Sequence, residues 1–222
     1  GVKALEAANY EVITVKVAQE QLISYINEND IKALLVRSAT TARKDLVDAC
    51  PGLKLIGRGG VGMDNIDVAY AREKGVHVIN TPAASSASVA ELVFAHLYGG
   101  VRFLYDSNRN MPLEGEANFG SLKKAYAKGI ELRGKTLGII GFGRIGQEVA
   151  KIGLGVGMKV IAADPYSEGA KVPVSFFNGE SIDVEINTQT MDSVLESADF
   201  ISLHVPAQKE YVIDAKALNK MK

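Results

Sequence analysis

Short runs of β-branched and apolar residues alternate with helical patterns along most of the chain. Seven of these runs predict buried strands: EVITVKV (11–17), ALLVR (33–37), LKLIG (53–57), VHVIN (76–80), TLGIIG (136–141), KVIAAD (159–164) and FISLHV (200–205). Helical patterns lie between most of them, and a repeated strand–helix–strand order predicts parallel strands joined by crossover helices. We therefore expect an α/β fold built on parallel sheets.

Three stretches depart from this alternation. The apolar segment 85–106 is expected to form one long helix that is buried or faces a second copy of the chain. The polar segment 107–129 has no clear period at its start, so it predicts an irregular break between two βα halves. The segment 172–190 is also irregular, and its Asn178–Gly179 pair predicts a β-hairpin.

Composition argues against several classes of function. The 25 basic and 26 acidic side chains nearly balance, whereas nucleic acids and anionic membranes select a basic excess in their partners. The segment 85–106 contains Glu91, His96 and Arg102, which make it a poor membrane span. The three histidines and one cysteine are too scattered to predict a metal site. The lone Cys50 favours a reducing, cytoplasmic setting and is expected to be a small core residue.

A G-x-G-x-x-G motif, GFGRIG, follows the strand TLGII and opens a helix. Gly141, Gly143 and Gly146 supply the tight turn, the close backbone approach and the helix–strand packing that a bound pyrophosphate requires. The next strand ends in Asp164, whose carboxylate can accept hydrogen bonds from both adenosine ribose hydroxyls and would repel a 2′-phosphate. No arginine follows in DPYSEG, so this motif predicts an NAD site rather than an NADP site.

The same glycine spacing occurs earlier, in GRGGVG at 57–62. The strand that follows this copy ends in Asn80 rather than in an acid, and Asp64 and Asp67 are expected to cap a helix. A second adenosine site is therefore not predicted here. Two interpretations stay open from the residues alone: a nest of backbone N–H groups that binds an anion, or a plain turn.

Several longer stretches occur in one order: GRGGVGMDNIDVAYAREKGVHVINTP, SVAELVFA, ELRGKTLGIIGFGRIGQEVA, DPY, ADFISLHVP and KALNKMK. In this order they resemble the D-isomer-specific 2-hydroxyacid dehydrogenases. The resemblance implies two doubly wound parallel-sheet domains, both incomplete: a flavodoxin-like substrate domain at 1–84 and a Rossmann NAD domain at 85–222. It also implies that the helix 85–106 links the domains and helps to form a homodimer.

The resemblance implies further cofactor contacts. Arg144 and Ile145 match residues that meet the pyrophosphate, and Val205 with Pro206 matches the adenosine side of the cofactor. Ser86 matches a position near the nicotinamide where relatives often have threonine, and it keeps the hydroxyl.

The resemblance also gives GRGGVG a role. The matching turn presents backbone N–H groups to the substrate carboxylate, which assigns that role to Gly60, Val61 and Gly62, with Val61 also near the nicotinamide. Arg37 and Ser38 match a loop on the substrate side. Arg37 could bind a carboxylate or phosphate bidentately, or could be a solvated arginine at a strand end.

The family's catalytic arginine, acid and histidine are expected beyond Lys222, and the start of the chain is expected to be clipped, so no catalytic residue is named. His77 lies in a strand, His96 is expected to be satisfied by packing, and His204 has no proton-transfer role in the resemblance.

The reaction expected from the resemblance is NAD-dependent oxidation of 3-phospho-D-glycerate to 3-phosphohydroxypyruvate by hydride transfer. One alternative is another member of the family, such as a glyoxylate or hydroxypyruvate reductase. The other is a non-catalytic NAD(H)-binding protein that resembles the family's corepressors.

Overall fold

The computed structural model describes residues 1–222, which divide into two compact units, Gly1–Ala84 and Ser85–Lys222. Each unit has its own three-stranded parallel sheet and its own hydrophobic core. The expected α/β fold with parallel sheets is confirmed. None of the helices combines the length and the apolar character that crossing a membrane would require.

The first unit alternates helices with three short strands. Its helices are α1 (Val2–Ala7), α2 (Leu22–Glu28), α3 (Lys44–Ala49) and α4 (Val68–Glu73), with a 3-10 turn at Gln19–Gln21 before α2. Its strands are β1 (Ala33–Val36), β2 (Leu55–Arg58) and β3 (His77–Asn80), paired in parallel in that order. Leu46 and Ile56 lie at the centre of the core with Cys50, whose predicted core position is confirmed. Burial raises the pKa of the Cys50 thiol.

The predicted strand at 11–17 is wrong. These residues form neither helix nor strand, and β1 pairs only with β2, so no ladder partner stands beside them. Ile13 and Val15 point into solvent, and only Val17 packs against the core. An apolar, β-branched run gives a strand only where a neighbouring strand satisfies its backbone groups.

The second unit begins with two long helices and continues as a βα sheet. Its helices are α5 (Ser86–Val101), α6 (Leu104–Tyr126), α7 (Arg144–Val156), α8 (Met191–Ser197) and α9 (Ala215–Lys220). Its strands are β4 (Thr136–Ile140), β5 (Lys159–Ala163), β6 (Gly169–Ser175), β7 (Ser181–Asn187) and β8 (Phe200–Leu203). The parallel sheet has the order β5-β4-β8, so β4 is central.

Two predictions for residues 85–129 need correction. The helix expected at 85–106 ends at Val101, because Phe103 adopts the left-handed conformation with φ 54° and interrupts it. The segment 107–129, expected to be irregular, lies mostly within α6. No residue of α6 is buried, and the helix contains Pro112 and the non-helical Asn118, which explains why its sequence did not indicate a regular helix.

The hairpin predicted around Asn178–Gly179 is confirmed. Strands β6 and β7 pair antiparallel, and Gly179 occupies the positive-φ position of the turn with φ 88°. Val172 and Ile186 from the two strands pack into the core of the second unit. The polar composition of this stretch therefore reflects a hairpin with one buried face.

Candidate functional site

The loop between β4 and α7 requires two of its three motif glycines for its own folding. Gly141 has φ +93°, and a Cβ built on it would lie 2.5 Å from the carbonyl oxygen of His204. A Cβ on Gly146 would lie 2.3 Å from the carbonyl oxygen of Gly141. Any larger residue at either position would force the backbone apart.

Gly143 is different, because nothing in the protein requires a glycine there. Its φ of −75° is open to any residue, and a Cβ built on it meets no atom within 4 Å. The backbone is thus left bare on a side that faces open space. An exposed backbone at this position fits a dinucleotide pyrophosphate, which must approach the backbone closely at the second glycine of the motif.

The start of α7 offers unused hydrogen-bond donors beside Gly143. The first backbone bond of the helix runs from the Gln147 N–H to the Gly143 carbonyl at 2.9 Å, and no side chain caps this end. The Arg144 and Ile145 amides precede that bond and have no acceptor in the protein. They lie at the positive end of the helix dipole, where an anion is stabilised.

Asp164 follows β5, the neighbour of β4, and is held against the loop. Its Oδ2 accepts a hydrogen bond from the Phe142 N–H at 2.7 Å, and its Oδ1 accepts one from the Tyr166 N–H at 2.8 Å. Each oxygen keeps a second lone pair, so the partly exposed carboxylate can still accept from ribose hydroxyls. The motif spacing placed Asp164 at this strand end, but the bond to Phe142 was not predicted.

The segment after β8 packs on the other side of the same loop. The His204 N–H donates to the Ile140 carbonyl at 2.7 Å, and Cγ1 of Val205 would lie 2.9 Å from a Cβ on Gly141. Val205 therefore borders the glycine loop, and the exposed Pro206 follows it. These contacts bring Val205 beside the predicted cofactor residues.

The three histidines lie in different settings. The ring of His204 hydrogen-bonds the Ser202 hydroxyl at 2.8 Å, and burial lowers its pKa, which disfavours a charged imidazole. His77 and His96 are exposed, so the expectation that packing satisfies His96 is wrong. Ser86 is buried at the first position of α5, and its hydroxyl has no partner within the protein.

The first glycine motif forms the loop after β2. The Gly59 N–H donates to the Val36 carbonyl at 2.9 Å, and the Gly60 N–H donates to the Arg58 carbonyl at 3.0 Å. The Val61 and Gly62 amides have no acceptor in the protein. Of the three amides predicted to bind a carboxylate, two are therefore free, and that of Gly60 is engaged within the loop.

Arg37 and Ser38 follow β1, the strand that pairs with β2. The exposed guanidinium of Arg37 makes no hydrogen bond or ion pair, whereas the Ser38 hydroxyl accepts a bond from Arg58 Nη2 at 3.2 Å. The ends of two adjacent parallel strands thus bring together a free arginine and two free amides. This arrangement favours an anion site over a plain turn.

Sequence reasoning missed Asn65, which joins these two loops. It is buried, and its Nδ2 donates to the carbonyls of Arg37 at 3.0 Å and Thr40 at 2.6 Å. Asp67, expected to cap α4, makes no such bond there, and instead accepts the Lys44 N–H at the start of α3. The available signal was Asn65 itself, a polar residue directly before the apolar Ile66 in a stretch expected to cap a helix.

A glycine-rich turn from a central parallel strand into a helix, with a carboxylate on the next strand, is the arrangement of dinucleotide-binding α/β proteins. The sequence profile of the catalytic domain of D-isomer specific 2-hydroxyacid dehydrogenases matches residues 1–221. The chain belongs to this family.

Two curated relatives are equally similar to the chain. A hydroxypyruvate reductase from Thermotoga maritima is 40% identical over 214 residues, which are 96% of this chain and 63% of that protein. A D-3-phosphoglycerate dehydrogenase from Methanocaldococcus jannaschii is 40% identical over 205 residues, 92% of this chain and 36% of that protein. The chain therefore spans between about a third and two thirds of these relatives' lengths.

Among solved structures, the fold is similar to that of NAD⁺-bound 3-phosphoglycerate dehydrogenase from Entamoeba histolytica. The TM-score is 0.70 at 28% identity, over 99% of this chain and 62% of that one. This match covers the fold of both units.

Proposed function

We propose that the second unit binds NAD at the loop Gly141–Gly146. The observation that carries the proposal is the glycine at position 143, which is required neither by its φ nor by steric crowding from the protein. The Arg144 and Ile145 amides would donate to the pyrophosphate, and Asp164 would accept from the adenosine ribose. When bound, NAD supplies the group that accepts a hydride.

The remaining cofactor residues stay predictions with structural support of different strength. Val205 contacts the glycine loop, and Pro206 follows it, so an adenosine could lie against this pair. Ser86 has a buried hydroxyl without a partner, which would be satisfied by a ligand atom.

We propose that the first unit binds the carboxylate of a 2-hydroxy acid. The free amides of Val61 and Gly62 would donate to the acid, and the unpaired Arg37 would bind a second anionic group. Ser38 would act by holding the loop through its bond with Arg58. An arginine at this place favours a phosphorylated substrate.

The reaction that these two sites support best is NAD-dependent oxidation of 3-phospho-D-glycerate to 3-phosphohydroxypyruvate. In this proposal, each unit binds one of the two reactants. The proton of the substrate hydroxyl must also be accepted by a base. None of His77, His96 and His204 is assigned that role, because two are exposed and the third bonds Ser202.

The substrate is tested by comparing two acids. Formation of NADH from NAD is followed at 340 nm with 3-phospho-D-glycerate and with D-glycerate as substrates. Preference for the phosphorylated acid supports the proposal. Preference for D-glycerate favours a hydroxypyruvate reductase, the activity named for the Thermotoga maritima relative.

NADH binding without turnover of either acid would favour a non-catalytic, corepressor-like protein.

A homodimer is proposed as well, because Leu92 and Tyr98 expose apolar surface on α5. Sedimentation equilibrium measures the mass of the assembly directly. A cytoplasmic location stays a prediction that depends on the single, unpaired Cys50.

Replacing Asp164 by alanine is expected to weaken NADH binding about tenfold or more. Two hydrogen bonds from ribose hydroxyls to a charged acceptor would be lost. The affinity for NADPH should rise relative to that for NADH, because the carboxylate that would repel a 2′-phosphate is removed. Fluorescence titration of both cofactors measures the change.

Asp199→Ala is the matched control for this experiment. Asp199 also accepts a backbone N–H beside β4, that of Thr136 at 2.8 Å, but at the opposite end of the strand. Each variant loses a carboxylate that accepts a hydrogen bond from a backbone N–H, so both are expected to lose stability. Only Asp164→Ala should also lose affinity for NADH. Equal NADH affinity in wild type and Asp164→Ala would contradict the assignment of this carboxylate.

A further inference from the structure

The end of β3 holds the first glycine motif from one side. Asn80, the last residue of β3, is the register partner of Arg58, the last residue of β2. Its side-chain Nδ2 donates to the Val61 carbonyl at 2.7 Å, and the backbone N–H of Thr81 donates to the Gly60 carbonyl at 3.1 Å. Two consecutive carbonyls of the loop are therefore bonded to two consecutive residues at the end of the neighbouring strand.

These two bonds determine the direction of the two free amides. The Gly60 carbonyl and the Val61 N–H belong to one peptide unit, and the Val61 carbonyl and the Gly62 N–H belong to the next. Both peptides are trans, so the C=O and the N–H of each unit point to opposite sides. Because both carbonyls are directed at the end of β3, both N–H groups are directed away from it. Neither N–H has an acceptor in the protein, so both remain available to an anion.

An asparagine suits this strand end because its side chain can donate a hydrogen bond. An aspartate has the same shape, but it is ionised at neutral pH and only accepts, so it would repel the Val61 carbonyl oxygen. The second motif has the opposite arrangement, because Asp164 after β5 accepts the Phe142 N–H. A side chain at the end of the next strand thus holds an N–H of the loop in the second motif and a carbonyl of the loop in the first.

We propose that Asn80 is a positioning residue for the substrate carboxylate. It acts by holding the peptide that carries the Gly62 N–H, while the backbone of Thr81 holds the peptide that carries the Val61 N–H. This inference rests on the proposed function of the first unit, in which these two amides bind the acid and Arg37 binds the second anionic group. It predicts that Asn80 matters equally for phosphorylated and unphosphorylated acids.

Replacing Asn80 by aspartate is expected to turn over the peptide between Val61 and Gly62. The new carboxylate repels the Val61 carbonyl and attracts the Gly62 N–H, and these two groups exchange places when the peptide rotates. Glycine at position 62 permits the change in φ that such a rotation requires. The Gly62 amide would then point to the end of β3 and would no longer be available to the substrate.

The experiment measures the affinity of the whole protein, saturated with NADH, for D-glycerate and 3-phospho-D-glycerate by calorimetric titration. It is carried out in high salt, which screens long-range repulsion by the new charge. Asn80→Ala loses one hydrogen bond and is expected to weaken the binding of both acids about fivefold. Asn80→Asp also turns the amide away and is expected to weaken the binding of both acids about fiftyfold or more.

Asn27→Asp is the matched control within the first unit. The Asn27 Nδ2 also donates to a backbone carbonyl of a distant segment, that of Ala49 at 2.9 Å. Each aspartate variant loses such a bond and gains one negative charge, so both should lose a similar amount of stability in thermal unfolding. Only Asn80→Asp should also lose affinity for the two acids.

Amide resonances give a second readout, which a loss of stability alone would not change. In wild type, the Val61 and Gly62 N–H resonances should both shift on titration with D-glycerate. In Asn80→Asp at saturating D-glycerate, the shift of Gly62 should largely disappear. The shift of Val61 should persist, because Thr81 still holds its peptide.

Each other outcome has a distinct meaning. If Asn80→Asp weakens 3-phospho-D-glycerate far more than D-glycerate, the effect is charge repulsion and the positioning role is wrong. If both affinities fall but the Gly62 resonance still shifts fully at saturation, Asn80 contacts the acid itself and does not act through the amide. If both acids bind Asn80→Asp as tightly as wild type, the inference fails while the substrate site stands. If wild type binds neither acid, the proposed function of the first unit fails, and the inference fails with it.

Discussion

Replacing Gly143 by serine should weaken NADH binding about a hundredfold while leaving the fold as stable as before, or slightly more stable. Serine is a better helix N-cap than glycine, and Gly143 is the N-cap of α7. A serine side chain at this position meets no protein atom within 4 Å of its Cβ. The substitution therefore improves the helix and obstructs the proposed cofactor.

Two effects would combine in the loss of affinity. The new Cβ would stand where the pyrophosphate must approach the backbone. The new hydroxyl would accept a hydrogen bond from the second or third residue of the helix, which includes the Ile145 amide. That amide is one of the two free donors proposed for the pyrophosphate.

Gly155→Ser is the matched control, because Gly155 lies on the same helix and its Cβ would also meet no atom within 4 Å. NADH fluorescence titration and thermal unfolding are measured for both variants. Only Gly143→Ser should lose NADH affinity, and neither variant should lose much stability. NADH affinity that stays within threefold of wild type in Gly143→Ser would remove the main support for a cofactor at this loop.

The second glycine motif could be interpreted from sequence because its chemistry is local. A strand, a tight turn and a helix follow one another there, and Asp164 comes directly after the next strand along the chain. The turn itself depends on contacts that span the sequence, such as the His204 carbonyl beside Gly141. Those contacts determine which glycine the fold needs and which the ligand needs, and the motif does not distinguish them.

The first motif was harder to interpret because its organising contacts join separate segments. Arg58 bonds Ser38 across two strands, and Asn65 bonds the carbonyl of Arg37 in the same loop. A glycine pattern does not indicate which side chains pack inside the loop. The errors at 11–17 and 107–129 have a related cause, since pairing and exposure depend on neighbours that a local pattern does not specify.

Replacing Gly141 by alanine should lower the free energy of unfolding by about 3 kcal/mol or more, from two separate causes. A residue with a Cβ is strained at φ +93°. The Cβ would also lie 2.5 Å from the carbonyl oxygen of His204. His204 is held in place because its N–H donates to the Ile140 carbonyl. Neither atom is part of a flexible side chain, so the backbone of β4 or β8 must move.

Gly179→Ala separates the two causes. Gly179 has φ +88°, close to that of Gly141, but a Cβ there meets no atom within 4 Å. It should therefore cost only the conformational strain, about 1 kcal/mol. Urea unfolding of both variants gives the two losses, and their difference measures the steric cost at Gly141. If the two variants lose the same free energy of unfolding, the segment after β8 moves aside at no cost in free energy. Glycine at position 141 is then required only for its positive φ.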